Sequence, residues 1–517
     1  MSDRTQRAPL VVLGFDSGDP RLLRRWAQEG QLPTLASIME RGCWGQTTSP
    51  ELMLEHGAWL SIFSGISRAR HGFYYFRQLK PGSYDLQLTY GPEVNAPPFW
   101  SLWREGGKRV VVADVPEGAL QPGVPGLQLV NWAVHRGYVS RARAYQPRSE
   151  PSNLLEEVTR KFGPPVQIFE APDADPAQNR RMHAELLARV RRKGALCRHL
   201  TERERPDLVV SCFGESHTAG HQFWRYCAEA SGQPPADGNE FAHAIRDVYQ
   251  AIDRQIGLLL AQLPASTNVF ILSSIGLANH YPTGALMEAF CRQLGYQAQP
   301  EPKPISFEPM ALVRRTLPEK LRIALSRRLS RETRERLFAQ QFRGNTNWQK
   351  TTAFAIPSLY AGFLRVNLRG REPEGIVKAG AEYDALLQRL ENDLRQLIDP
   401  QTGQPAIEKV VRVSELYRCK SPDVLPDLVV HWKPCTHFMD RVVHPKAELT
   451  QKKPEFFRDS EHIDHGFFAA AGSAIQSRGQ MADVEVLDLA PTFLTLLNEP
   501  KPEQMTGKTI RQFFETN

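Results

Sequence analysis

Short runs of apolar, mostly β-branched residues alternate along the chain with stretches that carry helical spacing. The first run, 9–15 (PLVVLGF), is broken at 16–20 and is followed by RLLRRWAQEG, which has the spacing of an amphipathic helix. Runs of the same kind lie at 108–114, 206–213 and 268–273. Buried-type strands separated by helices predict an α/β fold with a doubly wound, mainly parallel sheet flanked by helices.

Two segments interrupt this alternation. Residues 140–205 are charged and punctuated by proline, and residues 285–355 contain a strongly basic stretch. We predict one domain over residues 1–517, with an insertion at 140–205 and a helical cap insertion at 285–355. In a doubly wound sheet, ligands bind beyond the carboxyl ends of the strands. The residues directly after each apolar run are therefore the candidates for the site.

Charge and composition narrow the class of protein. The chain has 517 residues, with 64 Lys and Arg against 57 Asp and Glu, a formal net charge of +7. The basic stretch at 314–336 has interleaved glutamates and a leucine every four residues. This pattern favours an amphipathic helix with a solvated face over a nucleic-acid surface, although a helix covering an anionic-substrate cleft would look the same. We expect no nucleic-acid partner.

Membrane and secretory signals are also missing from the sequence pattern. No apolar run approaches the roughly 20 residues that cross a bilayer, and the first residues lack a small-residue cleavage site. The seven cysteines have no close pairs and form neither a disulfide framework nor a zinc ribbon. We expect a cytoplasmic, reduced protein without a membrane partner. The sequence leaves the oligomeric state open.

Two histidine-rich stretches are candidates for metal binding. In ESHTAGHQFW (215–224), His217 and His221 are one helical turn apart, so both imidazoles could face one metal ion. In EHIDHGFF (461–468), His462, Asp464 and His465 lie before a short apolar run. Both patterns have plainer explanations: a histidine pair packed on a helix, and a polar surface loop.

Acidic residues at two strand ends add further candidates. Asp16 follows the first apolar run directly and could ligate a metal or cap the following helix. Glu55 and His56 place an acid and a base side by side before an apolar helix. Glu55 could equally be a first-turn residue favoured by the helix dipole.

Together these motifs resemble the alkaline phosphatase superfamily, in particular its type I phosphodiesterase/nucleotide pyrophosphatase branch. The resemblance is carried by the strand ending in Asp16, by GQLPTLASIMERGCWGQTTSP (30–50) and by AWLSIFSGISRARHGFYYF (58–76). It continues through GHQFW (220–224) to LDLAPTFLTLLNEPKPEQMTGKTI (487–510). It implies the superfamily's α/β fold and a hydrolase that uses two metal ions, usually zinc.

The resemblance carries the two metal sites over unevenly. The family's nucleophile position, four residues before Trp59, is Glu55, and the two ligands of the nucleophile-side metal are replaced by Ser274 and Ile275. Isoleucine cannot bind a metal, and serine is a poor zinc ligand. Asp16 matches the first-strand ligand. The sequence therefore departs from two-metal chemistry at this site.

At the other metal site the family's Asp, His and distant His correspond to His217, His221 and His462. Three histidines with an open position are a known arrangement for a catalytic zinc. We therefore predict one divalent metal ion per chain, zinc in the first place, with iron or manganese as alternatives.

Further candidates surround these positions. Glu55, His56 and Glu215 could act as general acid or base, and Glu55 could also become a metal ligand or attack directly. His280 lies near a strand end. Arg365 and Arg371 could bind an anionic substrate group, although a buried structural ion-pair network would produce the same cluster.

Three functions follow as hypotheses. The first is hydrolysis of a phosphate, sulfate or related ester in a small anionic substrate at a single three-His metal, without a Thr or Ser nucleophile. The second is a mononuclear metalloenzyme recruited to a lyase, cyclisation or transfer step in biosynthesis. The third is an inactive binding or scaffold protein. A nicotinamide, flavin or pyridoxal cofactor is not indicated, because GFDSGDPR follows the first run in place of a Gly-rich dinucleotide fingerprint or a Walker loop.

Overall fold

The computed structural model describes residues 8–49, 56–104, 107–134, 142–171, 173–234, 239–279, 285–300, 329–359, 361–453 and 458–515. The strands in this part of the chain are β1 (Leu10–Phe15), β2 (Cys43–Thr48), β3 (Arg77–Leu79), β4 (Leu86–Leu88), β5 (Val110–Ala113), β6 (Gly126–Val130), β7 (Arg148–Glu150), β8 (Leu208–Phe213), β9 (Asn268–Ser273), β10 (Gly276–Asn279), β11 (Ala353–Ile356), β12 (Gly362–Val366), β13 (Ile398–Asp399), β14 (Gln404–Pro405), β15 (Ile407–Arg412), β16 (Leu428–Trp432), β17 (Arg441–His444), β18 (Ala447–Thr450), β19 (Ser460–Ile463), β20 (His465–Ala471), β21 (Gly479–Gln480) and β22 (Val484–Glu485).

The α-helices are numbered in the same way. They are α1 (Pro20–Gln28), α2 (Pro33–Arg41), α3 (Ala58–Ser64), α4 (Arg68–His71), α5 (Leu154–Phe162), α6 (Pro176–Glu204), α7 (Glu215–Phe223), α8 (Ala228–Ser231), α9 (Ala244–Leu260), α10 (Ala285–Gln293), α11 (Arg331–Gly344), α12 (Ala381–Arg395), α13 (Val413–Leu416) and α14 (Leu489–Leu496).

The central sheet has the strand order β21-β2-β20-β9-β1-β8-β5-β6-β7, with β22 beside β2. Strands β9, β1, β8, β5 and β6 are parallel to one another, whereas β20 and β7 run antiparallel to their neighbours. Four of these parallel strands, β1, β5, β8 and β9, are the apolar runs of the sequence, and all six residues of β1 are buried. The predicted α/β fold with a mainly parallel sheet is confirmed.

The two faces of the sheet are covered by different helices. Val11, Leu13 and Phe15 of β1 pack in one core with α1, α2, α6 and α9, while Leu10 and Val12 pack in another with α3 and α14. Because side chains alternate along a strand, an uninterrupted apolar run can supply both cores. This double coverage buries the whole of β1 and also Asp16, the residue that directly follows it.

The two segments predicted as insertions lie in different surroundings. Residues 140–205 supply α5 and α6, and α6 contributes to the core on one face of the central sheet. In the segment 285–355, α10 packs with β11 in a third core around the antiparallel sheet β11-β12-β16-β15. Residues 301–328, with most of the basic stretch, lie outside the described residues. The division into one domain with two insertions stays a prediction.

Helix length and hydropathy determine whether a helix could cross a bilayer. Within the part of the chain that the structure describes, every helix is too short or too polar to cross a bilayer.

Candidate metal centre

The sheet register brings the first strand end and the histidine helix together. β1 and β8 are parallel and in register, with Phe15 opposite Phe213, so Asp16 lies beside the start of α7. The first turns of α7 carry His217 and His221. A third element, β19, pairs antiparallel with β10 and places His462 opposite Leu277.

The three histidines meet in a buried cluster. A nitrogen of each ring of His217, His221 and His462 lies within 4.8 Å of a nitrogen of the other two. The ring centroids are 4.9 Å apart in all three pairs. None of the three residues is more than 4% exposed. The structure therefore joins residues 241 positions apart in the chain, as His221 and His462 are, into one site.

The distances fit a nitrogen-coordinated divalent metal. Nε2 of His221 is 3.3 Å from Nε2 of His462. Two nitrogens about 2.0–2.1 Å from a tetrahedral zinc would be about 3.3 Å apart. Nδ1 of His221 lies 2.9 Å from Oγ of Ser460, a contact that orients the ring with Nε2 toward the cluster. The residues present thus match the donor set of a three-His metal site.

Asp16 supports the cluster through His217. Its Oδ2 lies 3.0 Å from Nδ1 of His217, and its Oδ1 accepts a 2.8 Å hydrogen bond from the indole of Trp59. Ser216 donates to the backbone carbonyl of Asp16. A carboxylate in this position holds a ligating imidazole in one orientation and one tautomer, and raises its basicity. The geometry favours this supporting role, and the role of Asp16 as a direct metal ligand stays a prediction.

We expect Asp16→Asn to weaken metal binding about 10- to 100-fold without abolishing it, because the three imidazoles remain while the negative charge facing His217 is lost. Competition with a chelator of known affinity measures this change. Asp19→Asn is a matched control, because Asp19 caps α1 by accepting hydrogen bonds from the backbone of Arg21 and Leu22. A metal affinity equal to that of the unchanged protein would show that Asp16 does not act on the cluster.

The next group of residues corresponds to the family's nucleophile and to the metal site beside it. Glu55 and His280 lie outside the described residues. Ile275 is buried, and Oγ of Ser273 donates to the carbonyl oxygens of Gly18 and Ile275. The segment around Ser274 and Ile275, which replace the ligands of the nucleophile-side metal, is thus hydrogen-bonded to the neighbouring backbone through Ser273.

His56 lies in an aromatic pocket beside an acidic residue, Glu117, that was not predicted from the sequence. Its ring has edge contacts with Phe73, Tyr75 and Phe76. Its Nδ1 is 3.8 Å from Oε1 of Glu117. Glu117 follows β5 by four residues, so its position after an apolar run was the available signal. A catalytic role for His56 stays a prediction.

Glu215 is placed among cations. Its Oε1 accepts a 2.6 Å hydrogen bond from Arg189, and its Oε2 lies 3.9 Å from Nζ of Lys193. Burial by itself would raise the pKa of Glu215, but Lys193 and Arg189 outweigh it, and the pKa lies below its ordinary value. Full burial and pairing with two cations favour a structural role for Glu215. Its catalytic role stays a prediction.

Arg365 and Arg371 belong to a buried network in the third core. Arg365 donates to Glu372 and to backbone carbonyls at 422, 423 and 425. Arg371 donates to both oxygens of Asp427, at 2.8 and 2.7 Å, and also to Glu372. These contacts are those of the structural ion-pair network that the sequence left open as the alternative. Binding of substrate by either arginine stays a prediction.

Comparison with solved structures identifies the fold. Phosphonoacetate hydrolase from Sinorhizobium meliloti 1021, solved with phosphonoacetate, superimposes with a TM-score of 0.51 at 14% identity, over 95% of each chain. Human ectonucleotide pyrophosphatase/phosphodiesterase 5 matches 98% of this chain and 100% of its own, with a TM-score of 0.48 at 13% identity. At 14% identity, the likeness to the phosphonoacetate hydrolase establishes the α/β fold alone.

Sequence comparison identifies the family. No curated protein is similar enough in sequence to count as a match. The family described as type I phosphodiesterase/nucleotide pyrophosphatase matches residues 10–446, most of the chain. This confirms the resemblance read from the motifs around Asp16 and residues 58–76. The chain therefore belongs to the type I phosphodiesterase/nucleotide pyrophosphatase family.

Proposed function

We propose that the protein is a metal-dependent hydrolase that cleaves a phosphate, sulfate or related ester of a small anionic molecule. Membership of the family supports a phosphoryl ester hydrolase. The proposal places one divalent metal ion, zinc in the first place, on His217, His221 and His462. The single observation that supports this metal site is that the three buried imidazoles meet beyond the carboxyl ends of the parallel strands.

The chemistry divides between the ion and the chain. When bound, the ion supplies Lewis acidity toward a phosphoryl oxygen and toward water. The chain holds the imidazoles in place, through Asp16 on His217 and Ser460 on His221. Burial of all three rings excludes bulk water from the ligand side of the site.

A second candidate function is a non-hydrolytic step, such as a lyase, cyclisation or transfer reaction, at the same metal. It is favoured by Ile275, which stands where the family has a metal ligand. Without that ligand, the second ion that clamps the transferred phosphoryl group lacks its usual donors. The two candidates share the metal site and differ in whether an ester is hydrolysed.

The test combines metal content with ester hydrolysis. We expect plasma mass spectrometry to find about one equivalent of zinc, iron or manganese per chain. We expect turnover of an activated aryl phosphodiester, phosphomonoester or sulfate that a chelator abolishes and metal restores. Bound metal without turnover of any of these would favour the second candidate. Absence of metal would overturn both and leave a binding or scaffold protein.

A further inference from the structure

A cavity lies beside Trp59, whose indole donates a hydrogen bond to Asp16. It has a volume of about 180 Å³ and is lined by aromatic and apolar side chains of α3, the segment 91–100 and the end of β5. Trp59 and Phe63 stack at 5.5 Å, and Phe63 meets Trp100 edge to face at 5.3 Å. Val112 and Val115 complete the apolar wall.

The described residues that line this cavity carry a negative charge and no positive one. Among the described residues that line it, Glu117 is the only ionisable side chain, and the other polar side chains are those of Asn95 and Gln121. The lining therefore contains a carboxylate and no cation within the described part of the chain. Such a lining disfavours an anionic ligand and favours a positively charged one.

Glu117 is held in position by several independent features. Its two carboxylate oxygens lie 3.2 and 3.1 Å from the backbone nitrogen of Gly57, which donates to them. A Cβ on Gly91 would lie 2.4 Å from the Cβ of Glu117, so the absence of a side chain at position 91 makes room for this residue. Glu117 also has a φ of 58°, in the left-handed region that non-glycine residues seldom adopt. Such backbone conformations persist where the surroundings fix them, often at ligand sites.

We propose that this cavity binds a small organic cation, with its ammonium group against the aromatic rings and Glu117. Aromatic faces attract ammonium ions, and quaternary ammonium ligands are recognised by aromatic cages. An apolar cavity of about 150 Å³ accommodates benzene, so a cavity of this size holds one substituted ring or a comparable alkylammonium group.

The cavity adjoins the proposed metal site through one side chain. Trp59 forms part of the cavity wall, and its indole donates to Asp16, which contacts His217. If the proposed function holds, the cation belongs to the organic part of the ester. The cation site itself does not require the metal, so it can be tested in its absence.

The test is isothermal titration calorimetry on the full chain, with and without a chelator. The probes are benzyltrimethylammonium, neutral benzyl alcohol and anionic benzenesulfonate. We expect the cation to bind at least about tenfold more tightly than the alcohol, and the sulfonate not to bind. We expect the chelator to leave these affinities unchanged, which separates this site from the proposed metal function.

Two variants and one control locate the site. Glu117→Gln keeps an oxygen for Gly57 but loses the charge, and should weaken binding of the cation about tenfold while leaving the alcohol unaffected. Val94→Trp, at a half-buried lining position, should weaken both ligands by filling the cavity. Glu93→Gln is the matched control, because Glu93 is exposed and does not line the cavity. No binding of the cation, equal binding of the alcohol, or an unchanged Glu117→Gln variant would each overturn the proposal.

Discussion

Replacing His462 by alanine should remove the metal and, with it, the proposed hydrolysis. The variant leaves two imidazoles where three now converge, and two nitrogens do not complete the donor set of a catalytic zinc. We expect metal content to fall from about one equivalent per chain to near zero. We expect ester hydrolysis to fall on the order of 1000-fold, because the loss of Lewis acidity costs several kcal/mol in the transition state.

The chain offers a matched control for this variant. His465 lies three residues further on, its side chain is 35% exposed, and it contacts Asp464 rather than the cluster. His465→Ala should keep both metal and activity. Melting temperatures measured in chelator compare the two metal-free proteins, so that loss of fold is not mistaken for loss of a ligand. Stoichiometric metal in His462→Ala would place the ion elsewhere.

The sequence predicted the fold because the signal is local. Four of the parallel strands of the central sheet are short apolar runs, and every residue of β1, β8 and β9 is buried, as such a run predicts. The third core was not predicted in detail. Its strands are short and antiparallel, and they alternate less cleanly with helices, so the alternation of elements that identified the central sheet is weaker there.

The histidine cluster was also predictable, but for another reason. His217 and His221 follow from helical spacing, whereas His462 lies far away in the sequence and was placed by resemblance to the family. The structure joins the three. The resemblance placed Asp16 as a ligand, and that role stays a prediction, while the structure adds a contact between Asp16 and Nδ1 of His217.

Contacts between side chains from distant segments could not be predicted from the sequence. Glu215 was predicted as an acid or base, and its pairing with Arg189 and Lys193, both from α6, is visible only in the structure. Glu117 gave only a weak signal, since its importance comes from Gly57 and from the space at Gly91. In both cases the deciding contacts join residues more than 20 positions apart, and no local pattern encodes them.

Replacing Arg371 by alanine should destabilise the protein. The change leaves Asp427, which is fully buried, without its bidentate cation. Removing one partner of a buried ion pair costs about 3–5 kcal/mol, because the remaining charge is uncompensated. Urea unfolding measures the loss. Arg369→Ala is the matched control, since Arg369 is exposed and should change the free energy of unfolding by less than about 0.5 kcal/mol.

The same pair should govern stability in acid. Burial alone would raise the pKa of Asp427, but Arg371 outweighs it and holds the pKa below its ordinary value of 3.8. A carboxyl whose pKa is lower in the folded state stabilises the protein above its unfolded pKa, and this contribution is lost as the pH falls through the folded-state pKa. In Arg371→Ala the pKa of Asp427 should rise, so acid unfolding should begin at higher pH than in the unchanged protein. If Arg371 instead binds substrate, the variant should raise KM severalfold and leave both unfolding curves unchanged.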